Sequence, residues 1–182
     1  MTLNSELAAT LKRVQENDPA LTSFCALDCA GRLNASEEMC REYFDLLVPA
    51  LARNTVIRKL FISSEKYFVS PGLSGIWFWY TPPVAKWRLV SETIITILGA
   101  LKNNTAITTL VIEDIRPDVM DRILTRASTS VEGGNRDNDL VDALSALLVE
   151  NTSIERLSLE DVVRDDTKAG ILARALSKRQ NH

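Results

Sequence analysis

The residues able to do chemistry are few, and their positions decide most of what can be said about catalysis. The chain has one histidine, His182, and it is the last residue. Nucleophilic catalysis by serine or cysteine, and hydrolysis at a metal, both lean on an imidazole held inside the fold as base or ligand, so both are disfavoured. Cys25 and Cys29 stand close together, but neither a second pair nor an internal histidine completes a zinc site. With Cys40 the cysteines number three, an odd count that closes no disulfide framework, and all three are read as small packing residues. Gly133-Gly134 lacks the strand-to-helix setting of a phosphate loop. Carboxylate chemistry stays formally open in the loop at 115–139, which makes a carboxylate-dependent hydrolase or transferase the least favoured reading. Acidic pairs such as Glu160-Asp161 and Asp165-Asp166 read as solvated. No catalytic residue, metal ligand or cofactor site is therefore assigned. The glycosylation triplets at Asn34, Asn103 and Asn151 carry no meaning without a secretory signal.

Bulk properties narrow the partner classes. The 182 residues suit a single domain over 1–182, and 46% hydrophobic with 25% charged residues is ordinary globular composition. A net charge of −3 offers no basic face for nucleic acid. No run reaches the roughly 18 apolar residues of a membrane span. The opening MTLNSELAATLKRVQEN lacks the apolar centre of a signal peptide, so a cytoplasmic location is expected.

What the chain does contain is a repeat. LVPALARNTVIRKLFIS (47–63), ILGALKNNTAITTLVIE (97–113) and LSALLVENTSIERLSLE (144–160) align almost residue for residue. Each has an apolar helical stripe, then Asn-Thr, then apolar residues three, six and eight positions after the asparagine: Ile57, Leu60, Ile62; Ile107, Leu110, Ile112; Ile154, Leu157, Leu159. In a looser copy, ENDPALTSFCA, Asn17 is followed by Leu21, Phe24 and Ala26, each offset longer by one, with Pro19 in the extra position. Asn54, Asn104 and Asn151 read as C-terminal cap residues, since asparagine tolerates the left-handed conformation that closes many helices. After the cap the period changes from helical to two, which means a short strand with one buried face.

Helix, turn and strand, repeated, give parallel strands joined by right-handed crossovers and stacked into a solenoid. The expected fold is thus an α/β leucine-rich-repeat solenoid of alternating helices and short parallel strands. Helices are expected at 4–16, 37–53, 91–103, 138–150 and 167–179, and strands at 21–27, 57–63, 107–113 and 154–160. Leu60, Ile62, Leu110, Ile112, Leu157 and Leu159 should face the core. Two stretches lie outside the repeat: an aromatic insertion at 64–90 and a loop with a short helix at 115–138.

These blocks resemble the leucine-rich-repeat domain of the tropomodulins and leiomodins. The resemblance is carried by LAATLKRVQENDPALTSF (7–24), FDLLVPALARNTVIRKLFIS (44–63), GALKNNTAITTLVIE (99–113) and ALLVENTSIERLSLE (146–160), most specifically by Asn17-Asp18-Pro19. It implies the repeat fold and, for function, a regulator acting at the pointed end of actin filaments. The family's N-terminal tropomyosin- and actin-binding half has no counterpart among these residues, and 64–90 is longer and more aromatic than the family's connection.

The leading functional expectation is a non-enzymatic protein-interaction module whose partner is another protein, with actin the partner the resemblance implies. Two surfaces compete. On the sheet face, alternation turns Ser23, Cys25 and Leu27 outward, with Lys59, Phe61 and Ser63, Thr109, Val111 and Glu113, and Arg156, Ser158 and Glu160; Cys25, Phe61, Val111 and Ser158 would form one row. In the insertion, IWFWY and KWRLV flank Thr-Pro-Pro-Val-Ala as a hairpin would, presenting Trp77, Phe78, Trp79, Tyr80 and Trp87. The candidate binding residues are those five aromatics together with Phe61 and Val111.

Overall fold

Apolar residues three and four apart on each helical segment, followed by period-two alternation, produce the same unit four times. The computed structural model describes residues 5–27, 37–63, 84–113, 136–159 and 166–180. Within these, helix α1 (Ser5–Gln15) leads to strand β1 (Ser23–Cys25), α2 (Glu37–Arg53) to β2 (Lys59–Ser63), α3 (Val84–Leu101) to β3 (Thr109–Glu113), and α4 (Arg136–Glu150) to β4 (Arg156–Leu159); α5 (Asp166–Gln180) follows. The strands form one parallel sheet in the order β1-β2-β3-β4. This is a leucine-rich-repeat solenoid, with the helices in one layer and the sheet in the other.

The core lies between the layers. Leu7, Leu11 and Val14 of α1, Leu47 and Leu51 of α2, Ile94, Ile97, Leu98 and Leu101 of α3, and Leu144, Leu147 and Leu148 of α4 meet Leu60, Ile62, Leu110 and Ile112 from the strands, all buried. Fully burying a leucine or isoleucine side chain contributes about 1.5–3 kcal/mol, so this double row of aliphatics supplies most of what holds the layers together. Tyr43 is buried with its ring 5.5 Å from that of Phe44, at 66°. Leu157 and Leu159 depart from expectation: they pack on the core but are half-buried. β4 ends the sheet order, with β3 as its only strand neighbour among the described residues, so it has cover on one side.

The asparagines do not act as expected. Among the described residues only Asn17 has a positive φ outside glycine, at 54°. Asn54, Asn104 and Asn151 instead turn inward, each 2–3% exposed. The Oδ1 of each accepts two N–H groups of the turn that follows it: Val56 and Ile57, Ala106 and Ile107, Ser153 and Ile154, all at 2.8–2.9 Å. The Nδ2 reaches back to the preceding repeat. Asn54 donates to Val14 O at 2.8 Å; Asn104 donates to Leu51 O and Asn54 O, both at 2.9 Å; Asn151 donates to Leu101 O at 2.7 Å and Asn104 O at 2.8 Å. A helix ends with orphan carbonyls, and here the ends of α1, α2 and α3 are each met by the next repeat's asparagine. A buried amide must have partners, and these two sets of bonds supply them.

Among the described residues no earlier helix end lies before Asn17, and it takes the left-handed role. The N–H of Asp18 donates to Arg13 O at 3.0 Å and that of Asn17 to Val14 O at 3.4 Å, the pairing of a Schellman closure. Asn17 Oδ1 accepts the Thr55 N–H at 2.8 Å. Asp18 then sets the turn, accepting from Ala20 N–H at 2.9 Å and from Arg13 Nε at 2.6 Å. The Arg13 hydrogen bond, and after it the Ala20 N–H, holds the Asp18 carboxyl below its ordinary value of 3.8.

At the far end, Arg179 of α5 donates to Thr152 O at 2.9 Å, so a side chain of the last helix meets the last turn. Among the described residues no helix is long and apolar enough to cross a membrane.

Candidate interaction surface

The strands alternate strictly, so one face of the sheet is core and the other is surface. In β2 Lys59 is exposed, Leu60 buried, Phe61 half-buried, Ile62 buried and Ser63 half-buried; β3 repeats the pattern from Thr109 to Glu113. Register then lines up the outward residues. Ser23, Lys59, Thr109 and Arg156 form a first row, Cys25, Phe61, Val111 and Ser158 a second, and Ser63 with Glu113 a third. Phe61 and Val111, two of the residues singled out in the sequence, are direct neighbours in the second row. Leu27 was assigned outward by the same alternation but is fully buried, because β1 ends at Cys25 and the chain turns at Ala26 and Leu27.

The rows differ in character. Phe61 and Val111 make an apolar centre, and the ammonium of Lys59 sits 4.4 Å from the Phe61 ring centroid, a cation–π contact. Lys59 and Arg156 lie on either side of Thr109 at the start of the strands, and Glu113 lies at the end of β3. Such a face, apolar in the middle and polar at both ends, has the make-up of an interface core with its rim. Among its described residues this face brings no nucleophile and base together. Among the described residues no group of three histidine, cysteine or acidic side chains is placed to hold a metal ion.

Trp77, Phe78, Trp79 and Tyr80 lie outside the described residues, as do the short helix at 117–127 and most of the loop at 115–139 that carries the carboxylates. Trp87 lies within α3, which begins at Val84, so KWRLV is not the second strand of a hairpin. The helical signal was present in the sequence: Leu89, Thr93 and Ile97, spaced four apart, are all buried on one side of α3. A second concavity, missed in the sequence, lies between α2 and α3 on the helical layer. It is a shallow groove of about 270 Å³ lined by Arg41, Phe44, Asp45, Val48, Leu89 and Glu92, among others. Its rim mixes opposite charges and its floor is part of the core.

No family model matches the chain, and no curated protein matches it. Among solved structures it is similar to leiomodin-1 actin-binding site 2, at 16% identity and a TM-score of 0.48 over 98% of this chain and 91% of that one. It is also similar to the C-terminal domain of a Caenorhabditis elegans tropomodulin, at 12% identity and a TM-score of 0.41 over 97% and 95% of the two chains.

Proposed function

We propose that this chain is a non-enzymatic protein-interaction module whose sheet face receives the partner. The observation that carries the reading is the Phe61–Val111 pair: two adjacent apolar side chains, half-buried, on a surface the repeat does not need for its own packing. Aromatic and aliphatic anchors ringed by polar groups are what interface hot spots are made of. The competing surface is the aromatic stretch of Trp77, Phe78, Trp79 and Tyr80, with Trp87. Capture from native lysate separates the two. Phe61→Ser/Val111→Ser should lose the captured partner while Trp77→Ala/Trp79→Ala keeps it; the reverse pattern moves the interface to the aromatic stretch.

A second reading, an actin-filament regulator, is favoured by the likeness of Asn17-Asp18-Pro19 and the surrounding repeats to the tropomodulins and leiomodins. Its test is filament elongation with barbed ends blocked. Slowing of pointed-end growth at micromolar protein supports it, and unchanged growth removes it for this chain acting alone. A carboxylate-dependent hydrolase rests on no grouping of described residues.

A further inference from the structure

We infer that the groove between α2 and α3 is a second interaction surface, one that takes a single tryptophan side chain of a partner protein. It lies on the helical layer, across the core from the sheet face. Thr93 is the residue that marks it. Thr93 is 5% exposed and lines the groove, yet among the described residues no hydrogen bond engages its hydroxyl. Two other helix hydroxyls are satisfied one turn back: Thr96 Oγ1 donates to Glu92 O at 2.7 Å, and Ser177 Oγ to Ala173 O at 3.0 Å. Thr93 has Leu89 O at the same interval and does not use it. Ser145 Oγ also has no partner, but it is sealed in, whereas the Thr93 oxygen opens to the groove. A buried hydroxyl left unpaired within its own chain is a place for a ligand's hydrogen bond.

The surroundings of that hydroxyl select the occupant. The groove is apolar at Phe44, Val48, Pro49 and Leu89, and of these Phe44 and Leu89 belong to the core. Its rim carries charges of both signs, Arg41 against Asp45 and Glu92, while the hydroxyl within is neutral. The matching ligand is an apolar body with one neutral polar hydrogen. At about 270 Å³ the groove falls short of the roughly 300–1,000 Å³ of sites that enclose a free ligand, and it is shallow. A shallow site of that size takes one large side chain offered from another protein's surface. Tryptophan meets each condition: a wide apolar ring for Phe44, Val48 and Leu89, an indole N–H that only donates, and no charge. Phenylalanine lacks the donor, and tyrosine offers less apolar area. Lysine and arginine bring a charge that an apolar floor would strip of water.

The test uses N-acetyltryptophanamide, a tryptophan side chain between two peptide groups, titrated into the intact, isotopically labelled chain and followed by NMR. Amide signals of Phe44, Val48, Leu89 and Thr93 should move, with little dependence on salt because the probe is neutral. A derivative methylated on the indole nitrogen keeps the ring and loses the donor. It should bind about three- to tenfold more weakly, the worth of one hydrogen bond. Thr93→Val removes the hydroxyl at nearly constant shape. It should weaken the tryptophan probe by that same factor and leave the methylated one unchanged, so that the two bind equally. Thr93→Ser restores a hydroxyl and should restore the preference. The melting temperature of Thr93→Val should not fall, because the hydroxyl bonds to nothing in the chain. Any one of four results overturns the proposal: no shifts at millimolar probe, shifts around Phe61 and Val111 instead, tighter binding of N-acetyltyrosinamide, or a preference for the free N–H that is absent from the parent or survives Thr93→Val.

Discussion

Asn17 and Asn104 stand at the same place in the repeat, at the end of a helix and before a strand, and they do opposite things. Asn17 adopts the left-handed conformation and closes its own helix; Asn104 keeps an ordinary backbone and closes the helix before it, through Leu51 O. The difference is one of neighbours. An internal repeat has a previous helix end presenting unpaired carbonyls, and an inward amide that satisfies them also satisfies two N–H groups of its own turn. Ahead of Asn17 no earlier helix end lies among the described residues, and its side chain serves the Thr55 N–H instead. Asparagine is used for its hydrogen-bonding breadth inside the solenoid and for its backbone tolerance at the edge.

Substitutions can break this comparison. Asn104→Ala deletes four buried hydrogen bonds and leaves two carbonyls and two N–H groups without them. At roughly 1 kcal/mol or more for each, the loss in urea unfolding should be about 4 kcal/mol. Asn104→Gly should be no better, because backbone freedom is not what the site uses. Leu110→Ala, a core truncation in the adjoining strand, should follow at about 3 kcal/mol. Asn17→Ala should cost only about 1 kcal/mol, for an L-residue held at positive φ, and Asn17→Gly should recover most of it. Equal responses to glycine at 17 and 104 would abolish the distinction.

The smallest effect concerns Asp18. Its carboxyl titrates lower in the folded protein, chiefly through the Arg13 hydrogen bond. A lowered folded value means the contribution is present above the unfolded value of about 3.9 and fades as pH falls through the folded value. Asp18→Asn should therefore lower the melting temperature slightly at pH 7, and the gap to the parent should narrow progressively as the pH falls below about 3.9. A gap that does not change with pH would assign the effect to the turn and not to the charge.

The contrast between these asparagines also marks the limit of what the sequence discloses. The repeat, the four strands, the strand register and the Phe61–Val111 pair follow from offsets counted after each asparagine, because burial enforces period two on one face. The partners of the amides do not follow, since they lie 40 to 53 residues away on the previous helix. A hint was available in the looser copy, where Asn17 stands one residue further from its strand and Pro19 fills the gap. KWRLV misled because its charged and apolar residues alternate from Lys86 to Leu89, as in a strand; only the continuity of Leu89 with Thr93 and Ile97 decides.

The amide ladder also makes the solenoid insensitive to the length of its connections. Each rung recognises a helix end and a turn, and nothing between them, across separations of 40 to 53 residues. Closing a loop costs free energy that grows only with the logarithm of its length. Adding ten residues between Ser63 and Val84 would therefore raise the entropy of closing the Asn54–Asn104 rung by about 0.2 kcal/mol. Set against four hydrogen bonds, that is nothing. The connections at the ends of the strands are thus places where new sequence can be grafted, and functions tried, without the scaffold registering the change.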